Sequence, residues 1–158
     1  MTKPVSPEIN ASRQIASEFE SPNQNPGFLL WRVSSAWQRQ IKKALKPLGL
    51  THAQFVLLAS LGWLELQMQV NQTKLAGHIG ADVMTTSSLV RSLEKRGLLT
   101  RNAQDQNARA NILHLTKDGL AMVQQSIPLV EAADKKFFAG LQNSAVFRLE
   151  LEKLIRMK

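Results

Sequence analysis

Between Asn71 and Leu115 the hydrophobic pattern changes period, and no other stretch restricts the fold as much. Leu75, Ala76 and Ile79 repeat at helical spacing, Gly80-Ala81 interrupts them, and Val83, Thr86, Leu89, Val90 and Leu93 resume the repeat until Gly97. Glycine directly after a periodic segment signals a helix stop, because it takes the left-handed conformation that a side chain resists. Two segments follow, 98–101 and 109–115, that read as strands, with the polar stretch 102–108 between them. Asn, Gln and Asp in that stretch favour a turn without fixing its type. Two short helices across a tight turn, then a β-hairpin, make a winged helix-turn-helix. The predicted fold is mainly α with this one small hairpin.

The flanks predict further helices. From Phe28 onward, Leu30, Val33, Trp37, Ile41, Ala44 and Leu48 form one apolar stripe, and Pro47 and Gly49 end it. Arg32, Arg39, Lys43 and Lys46 lie off the stripe and read as a solvated face. Thr51 is a predicted N-cap with Gln54 at capping-box spacing. The almost wholly apolar run 53–64 predicts a central helix buried on most sides. Thr116 caps a fifth helix, in which Leu120, Val123, Ile127, Val130, Asp134, Phe137 and Leu141 alternate three- and four-residue steps. Such a heptad seam lets two helices pack side by side, and Pro128 inside it predicts a kink. Asp134 stands in the seam either as a polar residue that sets register or as a partner for a basic group of a second subunit. A sixth helix carries Phe147, Leu151 and Leu154 on one face. The start of the chain, with Pro4, Pro7, Pro22 and Pro26, reads as an irregular arm with room for a short helical piece over 8–20. The expected organisation is an arm 1–26, a dimerisation helix 27–50, the winged helix-turn-helix 51–116, and C-terminal dimerisation helices 117–158.

Composition narrows the function. The 158-residue chain has no cysteine, three histidines, and twenty Lys and Arg against twelve acids, a net charge of +8. That length buries a core without disulfides. The lack of cysteine excludes disulfide scaffolds, zinc–cysteine sites, thiolate catalysis and cysteine-based oxidant sensing. His52, His78 and His114 show no metal-ligand spacing, so neither a metal nor a cofactor is expected. No apolar run reaches the ~18 residues of a membrane span, and the N-terminus has no signal-peptide core, which predicts a cytoplasmic protein without a membrane partner. There is no phosphate-cradling glycine loop, no organised Ser–His pair and no acid pair on an apolar helix face, so no enzyme is expected. The positive excess points to a polyanion, most simply double-stranded DNA.

The fourth helix suits that partner. At 100° per residue its face away from the core carries Met84, Thr85, Ser88, Arg91 and Lys95, with Ser87 on the flank and no acid between 84 and 92. Small hydroxyls allow close approach, and Arg91 has the reach for phosphate or guanine. Arg101 and Arg109 flank the hairpin loop and suit backbone phosphate or the minor groove. Lys74 begins the third helix, where such helices cross the backbone. Trp31 lies off the first helix's stripe and is a candidate wall for an aromatic ligand, with Phe55 beside it and His52 as a hydrogen-bonding group. Ordinary packing is the alternative for each.

Five segments, Leu50-Thr-His-Ala-Gln-Phe55, Leu75-Ala76, Asp82-Val-Met-Thr-Thr-Ser87, Leu93-Glu-Lys-Arg-Gly-Leu-Leu99 and Arg109-Ala-Asn-Ile-Leu-His-Leu-Thr-Lys-Asp-Gly119, resemble the MarR (multiple antibiotic resistance regulator) family, from about Phe28 to the C-terminus. The resemblance implies a homodimeric transcriptional regulator joined through its N- and C-terminal helices. It implies one winged helix per half-site of a palindromic operator, and commonly a repressor released by a small aromatic ligand. It places recognition-helix contacts on Thr85, Ser87 and Ser88 and the wing arginine at Arg109. Two departures stand out. Asn107-Ala108-Arg109 replaces the family's common Asp-x-Arg, which leaves the wing to another partner such as Asp105. Ser88 stands where arginine is common, which leaves Arg91 to carry part of that charge. The alternative function is a winged-helix protein-interaction module without operator binding. Acids on the recognition helix would favour it, and between 84 and 92 there are none.

Overall fold

The structure is a computed structural model and describes residues 17–103 and 111–156. Helices α1 (Pro26–Leu45), α2 (His52–Leu64), α3 (Gln72–Ile79) and α4 (Val83–Lys95) precede strands β1 (Leu99–Ala103) and β2 (Asn111–Leu115), and helices α5 (Lys117–Phe137) and α6 (Ser144–Arg156) follow. The mainly helical fold with one antiparallel hairpin is the predicted one. Most of the helical piece expected over 8–20 lies outside the described residues. The chain divides into two compact units, with the boundary falling within α1 between Ala36 and Trp37.

In the first unit, the Asn25 side-chain oxygen accepts from the Phe28 amide at 3.1 Å where α1 opens. Pro26 fits that opening because a first-turn residue needs no amide hydrogen. Phe28 and Trp31 stack with ring centroids 6.3 Å apart, and the Arg32 guanidinium sits 5.8 Å over the Phe28 ring. Phe28, Leu29, Leu30, Trp31 and Val33 are exposed.

The second unit holds the core. Ile41 and Leu45 of α1, Leu57, Leu58 and Leu61 of α2, Leu75 of α3, Val90 and Leu93 of α4, and Leu99 and Leu113 of the hairpin are essentially free of solvent. Each such side chain contributes about 1.5–3 kcal/mol relative to exposure. On α1 it is Leu45, one residue past the expected Ala44, that completes the buried face. Gly49 at φ 61° turns the chain after α1. The Thr51 hydroxyl then accepts from the Gln54 amide at 3.2 Å while the Gln54 side chain accepts from the Thr51 amide at 3.1 Å. This capping box satisfies two donors that the first turn of α2 would otherwise leave unpaired. Helix α2 is central as expected, but Trp63 in its last turn is exposed, so the apolar run outlasts the core that covers it.

The hairpin pairs Leu99 with Leu115 and Ala103 with Asn111. The Leu113 amide also donates to the Val70 carbonyl at 2.8 Å, which fastens β2 to the entry of α3. Gly97, at φ 70°, closes α4 and turns the chain into β1. Gly119 is needed for a different reason. A Cβ there would stand 1.8 Å from the Leu98 carbonyl oxygen, which already accepts from the Thr116 amide at 3.2 Å. The Thr116 hydroxyl donates to the Gly97 carbonyl at 2.6 Å and accepts from the Gly119 amide at 2.9 Å. One threonine and one glycine thus join the end of α4, the hairpin and α5.

Helix α5 continues through Pro128. Val123 and Val130 of its seam are buried, and α5 packs against α2. The seam therefore finds its second helix within the chain. No residue of α6 is buried. Among the described residues, no single helix is long and apolar enough to cross a membrane.

Candidate nucleic-acid interface

Asn71 caps α3 by accepting from the Lys74 amide at 2.9 Å. Asp82 does the same for α4: its carboxylate accepts the Thr85 amide at 2.7 Å and the Thr85 hydroxyl at 2.6 Å. Those bonds, the hydroxyl's first, hold the Asp82 carboxyl below its ordinary value of 3.8. Gln72 donates its side-chain amide to the Val83 carbonyl at 3.3 Å, so α3 holds the first turn of α4. Thr86 is fully buried, and its hydroxyl is satisfied by the Asp82 carbonyl at 2.9 Å.

With Thr86, Val90 and Leu93 inward, the opposite face of α4 is fixed. Met84, Thr85, Ser88, Arg91 and Lys95 are exposed and Ser87 is half-buried, which brings these predicted residues together on one side. Val83, expected on the core face, is 51% exposed. The first turn overhangs the core, whose contact with α4 begins at Thr86. Arg91 has no ion-pair partner among the described residues.

The other predicted cations are placed differently. Lys74 is exposed on α3, and its Nζ donates to the Gln69 carbonyl at 3.0 Å. Arg101 bonds one carboxylate oxygen of Glu94 through Nε at 2.9 Å and Nη2 at 2.7 Å. β1 runs back along α4, so this pair ties the wing's first strand to that helix. The sequence reading missed it, although Glu94 follows the acid-free stretch directly and marks where a basic strand residue finds a partner. Arg109, with Asp105, Asn107 and Ala108, lies outside the described residues.

The far end of α4 is held by the corner between α1 and α2. Gln54 donates to the Ser92 hydroxyl at 3.0 Å, and Arg96 donates to the Gly49 carbonyl at 3.1 Å and the Gln54 side-chain oxygen at 3.3 Å. The same Gln54 that completes the capping box therefore carries α4.

Of the ligand candidates, Trp31 is exposed in the first unit. His52 and Phe55 are half-buried on α2 in the second. The Trp37 ring meets His52 edge-on at 4.9 Å, and its Nε1 donates to Asp134 at 2.7 Å. Burial lowers the His52 pKa from its ordinary 6.5, with Asp134 pulling the other way. Asp134, expected to set register or to face a second subunit, thus finds a donor in its own chain. No spacing rule reveals a bond between residues so far apart in sequence. Among the described residues, no group of three His, Cys, Asp or Glu side chains is placed to hold a metal.

Comparisons with known proteins agree with this architecture. The MarR family profile matches residues 50–110. YdcH of Bacillus subtilis, an uncharacterized HTH-type transcriptional regulator, is 40% identical over 141 residues, covering 89% of this chain and 96% of its own. The HTH-type transcriptional repressor Rv2887 of Mycobacterium tuberculosis is 32% identical over 130 residues, 81% of this chain and 91% of its own. Its structure in complex with salicylic acid superposes with a TM-score of 0.58 at 28% identity, over 84% of this chain and 95% of its own. CouR of Rhodococcus jostii, solved bound to p-coumaroyl-CoA, gives a TM-score of 0.74 at 28% identity over 86% of this chain and 93% of its own. These relatives are regulators rather than enzymes and follow the chain across its winged helix and the helices on either side, so the chain belongs to the MarR family of transcriptional regulators.

Proposed function

We propose that the chain is a homodimeric, cytoplasmic repressor that binds a palindromic operator in double-stranded DNA and is released by a small aromatic ligand. The observation that carries this reading is α4, which turns Met84, Thr85, Ser88 and Arg91 outward with no acid between 84 and 92, while Thr86, Val90 and Leu93 anchor it. A helix so presented fits the major groove. Lys74 on α3 and Arg109 in the wing supply phosphate contacts, and Arg101 positions the wing through Glu94. The exposed apolar residues of α6, and separately those of α1, supply faces for a second copy. The repressor name of Rv2887 supports repression. Salicylic acid and p-coumaroyl-CoA, bound by Rv2887 and CouR, support an aromatic ligand, for which His52 and Phe55 of the second unit and, separately, Trp31 of the first are the candidate contacts.

Selection from a random duplex pool at low salt tests the reading. Enrichment of a two-fold symmetric site with half-sites ~34–36 Å apart or a multiple of that is expected. Binding should weaken steeply with salt, as for roughly 6–10 neutralised phosphates, and salicylate or p-coumaroyl-CoA should release the duplex. Failure to enrich any duplex leaves the protein-interaction module in its place.

A further inference from the structure

We infer that Val83 and Met84 form an apolar tip that selects the 5-methyl group of a thymine in the major groove, an inference that rests on the DNA reading above. Met84 is 83% exposed, the highest value among the large hydrophobic side chains of the described residues, and Val83 beside it is 51% exposed. Exposed apolar surface at the leading end of a helix, next to a polar face, calls for a partner that is itself apolar at that point.

The polar groups around the tip sharpen the choice. The Thr85 hydroxyl proton is committed to Asp82 at 2.6 Å and the Thr85 amide to the same carboxylate at 2.7 Å. The Thr86 amide goes to the Asp82 carbonyl at 3.0 Å. These first-turn amides are thus unavailable to a phosphate, and the first basic residue of α4 is Arg91. What the tip offers is two apolar side chains beside oxygen acceptors on Thr85 and Asp82. A T·A pair presents the matching surface in the major groove, a methyl on thymine and an amino donor on adenine. A G·C pair also offers an amino donor, on cytosine, but no methyl, so the methyl is what separates the two. Gln72, bonded to the Val83 carbonyl, holds the tip in place.

The test replaces thymine by uracil, a change of one methyl to hydrogen that leaves the protein untouched. A duplex selected from a random pool is resynthesised with uracil at each thymine in turn, and affinity is read by titration. At one position per half-site the affinity should fall about fourfold, the factor expected for one buried methyl-sized group, and about sixteenfold when both half-sites change. In the double variant Val83→Ala, Met84→Ala the thymine and uracil duplexes should bind alike. Tight binding that is indifferent to uracil at every position overturns this inference and leaves the DNA reading standing. So does a thymine preference that survives the double variant. Recovery of no bound duplex overturns the DNA reading and this inference with it.

Discussion

Helix α5 buries Val123, Ser126 and Val130, with the Ser126 hydroxyl satisfied by the Val123 carbonyl at 3.1 Å. Helix α6 follows within a few residues, carries an apolar set of its own in Val146, Leu149, Leu154 and Ile155, and leaves all of it exposed. Its polar side is held by ion pairs of Glu152 with Arg148 and Arg156, which stabilise an exposed helix by only a few tenths of a kcal/mol each. The difference teaches that an amphipathic period says a face needs cover without saying what covers it. For α5 the cover is α2. For α6 the described chain supplies the edge near Phe138, whose ring lies 5.8 Å from Phe147, and leaves that apolar set exposed.

The strongest way to break the α5 side is Gly119→Ala. The new methyl would meet the Leu98 carbonyl, a backbone atom that cannot rotate aside. A loss of about 3 kcal/mol is expected, read as a fall in Tm of about 6–12 °C for a chain of this size. A fall under 2 °C would mean that the junction yields. The next comparison sets Val130→Ala against Leu154→Ala. The first should cost about 2 kcal/mol at any protein concentration. The second should change stability by less than about 0.5 kcal/mol at high dilution and lower Tm only where subunits associate. Equal costs at high dilution would end the contrast between the two helices.

Smaller effects probe how α5 is held. Trp37→Phe keeps the aromatic body but removes the donor to Asp134, and a cost of about 1–2 kcal/mol is expected from chemical denaturation. Last comes Asp82→Ala, which uncaps α4 and should lower Tm by less than the Trp37 change. Since the folded carboxyl lies below its ordinary 3.8, its contribution is complete above that value and disappears as pH falls through the lowered one. The two unfolding midpoints should therefore converge in acid, and a gap that widens there would contradict the cap.

Local rules carried much of the fold. Thr51 and Thr116 were legible as caps because an N-cap depends on a few adjacent atoms, and Gly97 was legible as a helix stop for the same reason. The outward face of α4 followed from its period. What the sequence withheld were bonds between distant elements: Arg101 to Glu94 across the strand and helix, Trp37 to Asp134, and Arg96 to Gly49. Each depends on tertiary approach, which no periodicity encodes. The exposure of Val83 was missed because a helical wheel has no ends, whereas a real helix overhangs its support.

The first turn of α2 has a mechanical consequence. His52 touches Trp37 on one side, and Gln54, two positions on, grips Ser92 and Arg96 on the other. That turn gives an unbroken run of contacts from the indole to the trailing end of α4, so a shift of the Trp37 ring has a direct route to the helix that carries Met84.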